Sequence, residues 1–275
     1  FSSAKMVTTF HGTYNFTSSI KKYYNSIMLK SDHVIASSNF ILNHIKTNYK
    51  TINNISVIKR GIDYNYFDPL NVSDHDQETL RKEMGFSNDN FLVLLPGRLT
   101  SWKGQMLFIE AANYLKTSDK ISNIFFIILG DSQGRHDYED QLKKLIYSYK
   151  MVDKVRLVHP LKSMPLAYAF VNLVVSASIE PEAFGRVSIE AQAMKKPILA
   201  SAIGGSVETV LDKKTGWLFK SNNTEDLANH IYNISKMEKS ALKTIGNEGR
   251  NNVIKNYTKD TMCLKTLEIY HSLVY

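Results

Sequence analysis

The chain of 275 residues has a single cysteine, Cys263. That excludes an internal disulfide framework and fits a reducing compartment. No apolar run approaches the roughly 20 residues needed to cross a bilayer, and no leader pattern is recognisable around Phe1. The eight histidines are scattered without ligand spacing, and no Asp-x-Asp follows an apolar strand, so no metal is expected. No Gly-x-Ser-x-Gly turn supports a hydrolase. No aromatic-plus-basic cluster supports nucleic-acid binding. Internal repeats and low-complexity tracts are also absent.

What is present is ordinary for a globular protein: 43% hydrophobic and 22% charged residues. The net charge of +8 suits anionic lipid or a phosphorylated substrate. A solvated exterior is the default reading of that charge.

The pattern along the chain alternates strand and helix, which argues for parallel sheets with crossover helices. Residues 5–10, 32–37 and 55–59 read as strands. Residues 18–30 and 38–49 read as helices, with serines at their starts. Three strands in so short a stretch bury little core, so this half is expected to lean on a partner surface. Residues 63–76, with Asp68-Pro69, break both periods and read as a linker. Beyond it, strands are expected at 91–95, 124–129, 155–158, 173–176, 197–200 and 217–219. Helices are expected at 104–115, 138–149, 165–170, 186–194, 205–211, 224–235 and 240–254. That second set makes a complete doubly wound domain.

The most informative stretch runs from Ile179 through Glu180-Pro181-Glu182-Ala183-Phe184-Gly185-Arg186 to Glu190-Ala191. It places Glu182 on a loop and Glu190 in the second turn of the following helix. An anion is favoured at that helix N-terminus, where free N–H groups and the macrodipole converge. Phe184 and Gly185 are expected to offer backbone N–H groups there. The two carboxylates can accept hydroxyl hydrogen bonds on either side of the anion. A nucleotide-diphosphate sugar has that chemistry. Glu180 is an adjacent acid, ranked below Glu182 only by the spacing to Glu190. A partner is expected for Glu190, because its apolar neighbours predict a buried helix.

Arg98 and Lys103 follow the strand at 91–95, in a loop that opens the next helix. Open α/β sheets bind ligands at the carboxyl ends of their strands. Two cations there suit a diphosphate, arginine by its fork and lysine as a point charge, and they would stabilise charge on a departing nucleotide. The bland alternative is two solvated loop cations. Trp102 reads as a packing residue. Arg186 is read with equal weight as a cation for a phosphate or acidic sugar and as an exposed residue.

The Glu182–Glu190 spacing resembles the Glu-x7-Glu motif of retaining glycosyltransferases of family 4. Val57-Ile58-Lys59-Arg60-Gly61-Ile62-Asp63 with Phe67-Asp68-Pro69 is similar to that family's interdomain segment. Pro96-Gly97-Arg98-Leu99 with Lys103-Gly104 is similar to its diphosphate loop, and Gly204-Gly205-Ser206-Val207-Glu208 to its later Gly-Gly turn. Leu129-Gly130-Asp131 falls where the family has a middle strand, and residues 131–135 look like a nucleotide-side loop. The resemblance implies an α/β GT-B architecture. It assigns residues 1–68 to a partial, acceptor-side Rossmann-like domain and residues 69–256 to a nucleotide-sugar-binding Rossmann-like domain. Residues 257–275 would form a helix crossing back to the first domain.

It further implies transfer of a sugar, with retention, from a donor of UDP or GDP type to a glycan or lipid-linked acceptor. No cofactor or metal is expected. The expected setting is cytoplasmic synthesis of cell-envelope polysaccharide or lipopolysaccharide in a bacterium, with peripheral contact at the inner face of an anionic membrane. Arg98, Lys103, Phe184, Gly185, Arg186, Glu190 and Gly130 are expected at the donor, with Glu190 on the ribose. Glu182 and His11 are expected at the transferred sugar, and Gly204-Gly205 close to sugar or acceptor. Family members are longer, and their opening strand and glycine-rich loop have no counterpart here. A fragment and a decayed gene are both compatible with that. A truncated binding module that holds a nucleotide sugar without catalysis is the alternative function.

Overall fold

The computed structural model describes residues 4–14, 18–49, 54–134 and 136–274. It contains two parallel sheets. The first is built from β1 (Val7–Phe10), α1 (Ser19–Ser26), β2 (His33–Ala36), α2 (Asn39–Asn48) and β3 (Ile55–Val57), with strand order β1-β2-β3. Ser18 and Ser38 cap the two helices, their side chains accepting from Lys21 N and Ile41 N. The helix expected over 18–30 ends at Ser26 and tightens into a 3₁₀ turn, Ile27–Lys30.

The chain then enters the second sheet. Here α3 (Asp74–Glu83), β4 (Phe91–Pro96), α4 (Gln105–Thr117), β5 (Ile124–Leu129), α5 (His136–Ser148) and β6 (Val155–Val158) are followed by α6 (Met164–Ala169), β7 (Leu173–Ser176) and α7 (Arg186–Ala193). After these come β8 (Ile198–Ser201), α8 (Ser206–Thr209), β9 (Trp217–Phe219), α9 (Thr224–Ser235) and α10 (Lys239–Asn256). The six strands order as β6-β5-β4-β7-β8-β9. The order in which strands are added reverses between β4 and β7, and ligands of such sheets bind at that switch point. β7 and β8 are wholly buried, and so is β4 beyond Phe91. They read as unbroken apolar runs because helices cover both faces.

One expectation fails. The end of the expected linker, residues 74–76, instead opens α3, a polar helix capped by Ser73. Its only buried residue is Leu80, so an apolar period never develops.

The last helix, α11 (Lys259–Val274), returns to the first sheet. Its Ile269 joins Ile35 and Ile58 in a small buried cluster, with Val7, Met262 and Leu273 packed around it. The two chain crossings pair with each other: Ile62 N donates to Tyr257 O at 2.9 Å and Lys259 N to Ile62 O at 2.9 Å. Arg250 clamps the same junction, reaching Phe67 O at 3.0 Å, Ala193 O at 2.7 Å and Asp68 Oδ2 at 2.5 Å.

The halves also meet across the cleft. The Glu208 carboxylate accepts from Asn39 N, Asn39 Nδ2 and Phe40 N at 3.1, 2.9 and 2.6 Å. It therefore occupies the N-terminus of α2, where an anion is favoured. Ser38 Oγ donates to Ala183 O at 2.5 Å. No helix among the described residues is long and apolar enough to cross a membrane.

Candidate functional site

A cleft of about 640 Å³ opens between the carboxyl edges of the two sheets. His11 to Tyr14, after β1, and Arg60, after β3, line it from one side. Gly97, Arg98, Trp102 and Lys103, after β4, and Pro181 to Phe184 with Arg186, Val187 and Glu190 line the other. The fold thus brings His11, Arg98, Lys103, Glu182, Phe184, Arg186 and Glu190 together from three separate segments.

Glu182 is nearly buried and doubly held. Its Oε1 accepts from Lys103 Nζ at 2.8 Å and also from Ser178 Oγ. The ion pair is enclosed, with side-chain exposures of 15% for Lys103 and 9% for Glu182. Trp102 is not only a packing residue: it lines the cleft and sets its ring beneath the Lys103 ammonium, 4.4 Å from the centroid. That is a cation–π contact. Glu180 is exposed and does not line the cleft.

Glu190 has the partners expected of a buried carboxylate. Tyr168 Oη, fully buried on α6, donates to Oε2 at 2.8 Å, and Arg186 reaches Oε1 at 3.1 Å. Arg186 is 68% exposed along its side chain, so it is both a surface residue and a partner of Glu190. Burial pushes the Glu190 carboxyl above the ordinary carboxylate range, against the hydrogen bond from Tyr168 and the charge of Arg186. Burial likewise pushes the Tyr168 hydroxyl up, helped by the neighbouring carboxylate. On the opposite side, burial lowers the His11 imidazole and the charge of Arg60 lowers it further. His11 is therefore neutral near pH 7, with its backbone N–H bonded to Tyr14 Oη at 3.3 Å.

The raised Glu190 value makes a signed prediction. A carboxyl that holds its proton more tightly when folded contributes stability below its ordinary pKa of 4.5. That contribution is lost as pH rises through the folded value. Glu190→Gln is expected to flatten this part of the pH–stability profile and to leave the fold at least as stable at pH 7. Thermal unfolding between pH 4 and 8 checks it, and a variant clearly less stable at pH 7 contradicts it.

Several of the expected glycines are not among the residues that line the cleft. Gly130 is buried under the Arg98 loop, where an added Cβ would lie 2.0 Å from Gly97 O, and it does not line the cleft. Gly185 turns the chain into α7 at φ +86°, a left-handed conformation that explains the glycine. It is not itself a lining residue, although Phe184 and Arg186 on either side of it are. Gly204 and Gly205 pack against the backbone of residues 181–184, and Gly205 N donates to Glu182 O at 2.7 Å. They buttress the Glu182 loop and do not themselves line the cleft. In the expected nucleotide-side loop, Arg135 lies outside the described residues.

Sequence reasoning passed over Arg60, Ser178, Tyr168 and Gln105. Gln105 Nε2 holds Arg98 O at 2.8 Å. Only Arg60 had a signal in the sequence, as a cation in a segment already singled out. No cluster of His, Cys, Asp and Glu among the described residues could hold a metal ion.

Residues 76–252 match the family model of glycosyl transferases group 1. The chain belongs to that family. Residues 2–66 match glycosyltransferase family 4. The glycosyl transferase of Rickettsia africae ESF-5 is 39% identical, with a TM-score of 0.90 over 99% of this chain and 72% of that one. Anabaena Alr3699/HepE, solved in complex with UDP-glucose, is 25% identical, with a TM-score of 0.88 over 98% and 72%. The two-sheet architecture is accordingly the Rossmann-like GT-B fold of this group. Among curated relatives, the D-inositol 3-phosphate glycosyltransferase of Mycobacteroides abscessus is 31% identical over 64% of this chain. This chain spans 38% of that relative's length.

Proposed function

We propose that the protein is a glycosyltransferase that moves a sugar from a nucleotide-diphosphate sugar, of UDP or GDP type, to a glycan or lipid-linked acceptor with retention of configuration. The observation that carries this reading is the make-up of the cleft. Two carboxylates and a neutral imidazole, suited to sugar and ribose hydroxyls, surround a group of cations suited to a diphosphate. The complex of the related HepE with UDP-glucose supports the donor class. The inositol-phosphate glycosyltransferases among its relatives support a hydroxyl acceptor.

In this reading Arg98, Lys103 and the start of α7 stabilise the leaving diphosphate electrostatically. Glu190 takes the ribose, and Glu182 with His11 takes the transferred sugar. Glu182 Oε1 already accepts two hydrogen bonds, which suits it to orient a hydroxyl rather than to attack carbon. Attack by the acceptor on the face the diphosphate leaves, through an oxocarbenium-like state, then accounts for retention. The departing phosphate takes the acceptor's proton. A glycosyl adduct trapped on Glu182 would overturn this step. The setting we propose is the cytoplasmic face of an anionic membrane, to which the net charge of +8 is suited, in bacterial cell-envelope polysaccharide or lipopolysaccharide synthesis.

Calorimetric titration of UDP, GDP and ADP tests the reading. One nucleotide is expected to bind and to lose affinity about a hundredfold or more in Arg98→Ala/Lys103→Ala. Absence of binding by all three to the folded protein overturns it. Binding without transfer would favour a nucleotide-sugar-binding module.

A further inference from the structure

Four cationic side chains line the cleft, Arg60, Arg98, Lys103 and Arg186, against two carboxylates, Glu182 and Glu190. Each carboxylate holds one cation, Lys103 at 2.8 Å and Arg186 at 3.1 Å. Among the described residues, no ion pair or side-chain hydrogen bond engages Arg60 or Arg98. For Arg98 this is unremarkable, because it is exposed. Arg60 is half-buried, and a guanidinium withdrawn from water without a partner is unfavourable.

The backbone around Arg60 is held firmly. Gly61 lies against the Thr258 carbonyl, where an added Cβ would come within 2.3 Å, and Ile62 pairs with Tyr257 and Lys259. The nearest acid in sequence, Asp63, is committed to Lys259 at 2.6 Å. The chain therefore carries a cation to the floor of the cleft, at the double crossing between its halves, and supplies no anion for it there.

We propose that Arg60 is a second phosphate-binding cation, closing on the nucleotide diphosphate from the chain crossing while Arg98 meets it from the end of β4. The inference rests on the donor class proposed above. A diphosphate ester brings two negative charges, and the cleft holds two cations without partners. A guanidinium also matches phosphate oxygens in a bidentate fork. Because Arg60 and Arg98 belong to different halves of the fold, one ligand held by both ties the two sides of the cleft together.

The test is calorimetry on the whole protein with the nucleoside diphosphate that binds, its monophosphate and its nucleoside, for wild type, Arg60→Ala, Arg60→Gln and Arg60→Lys. Diphosphate affinity is expected to fall about tenfold to a hundredfold in the alanine and glutamine variants. Monophosphate and nucleoside affinities should stay near wild type, so the preference for the diphosphate collapses. Arg60→Lys should recover part of it, since the charge remains and the fork is lost. Unchanged diphosphate affinity in a folded Arg60→Gln protein overturns the proposal, as does an equal loss for all three ligands. If those results accompany the expected loss in Arg98→Ala/Lys103→Ala, the donor assignment stands and only Arg60 is misassigned. Failure of wild type to bind any nucleotide removes both.

Discussion

Replacing Lys103 by alanine is expected to lower sugar transfer by about two to three orders of magnitude in kcat, the usual effect of removing one preorganised charge from a developing anion. The position of Lys103 makes the loss large. Its ammonium sits over Trp102 at 4.4 Å and holds Glu182 at 2.8 Å, so it stands between the proposed diphosphate and sugar sites without freedom to relax. The substitution also strands Glu182, nearly buried, with Ser178 as its remaining hydrogen-bond donor. A stability loss of about 1–3 kcal/mol should accompany the kinetic defect. The two effects are separable. Adding Glu182→Gln to Lys103→Ala removes the stranded charge and should restore much of the stability, while transfer remains at or below the level of Lys103→Ala. Steady-state kinetics and thermal unfolding on the three variants check this. Recovery of both together would mean that Lys103 acts only by neutralising Glu182.

Gly104→Ala is expected to cost about 2–5 kcal/mol, the sum of left-handed strain on a residue with a Cβ and of overpacking. Gly104 has φ +75° at the start of α4, and an added Cβ would lie 1.9 Å from Ala177 O. Ala177 is buried and directly precedes Ser178, the residue that holds Glu182. Neither side can yield without moving a strand end or the Lys103 turn, so transfer should fall along with stability. Gly85 is the control. It has a similar φ of +73°, and an added Cβ meets nothing within 4 Å. Gly85→Ala should therefore show the conformational cost alone, about 1–2 kcal/mol. Equal losses in the two variants by denaturant unfolding would show that the contact at Ala177 O contributes nothing.

The central strands of the second sheet were legible in the sequence because they are buried. Ile124–Leu129, Leu173–Ser176 and Trp217–Phe219 appear within the bounds expected, as does the edge strand Val155–Val158 despite its exposed Arg156. Helix starts marked by Ser18 and Ser38 were legible too, because a hydroxyl that caps is a local device. α3 was not, since ten residues with one buried side chain carry no periodic signal. The spacing of Glu182 and Glu190 likewise singled out the acids that line the cleft over the exposed Glu180.

The sequence by itself therefore determined the layered α/β class, most element positions and the chemical types at the site. Each of those follows from interactions within a few residues, or from whether a segment is buried at all. Tertiary structure alone decided who pairs with whom. Lys103 meets Glu182 across 79 residues, Tyr168 meets Glu190 across 22, and Glu208 reaches the start of α2 across 168 or more. It also decided that Gly204 and Gly205 brace a loop, and that Arg60 is left without an anion. Such contacts depend on which strand ends the crossovers bring to one edge, and residue types and spacing do not encode that distance.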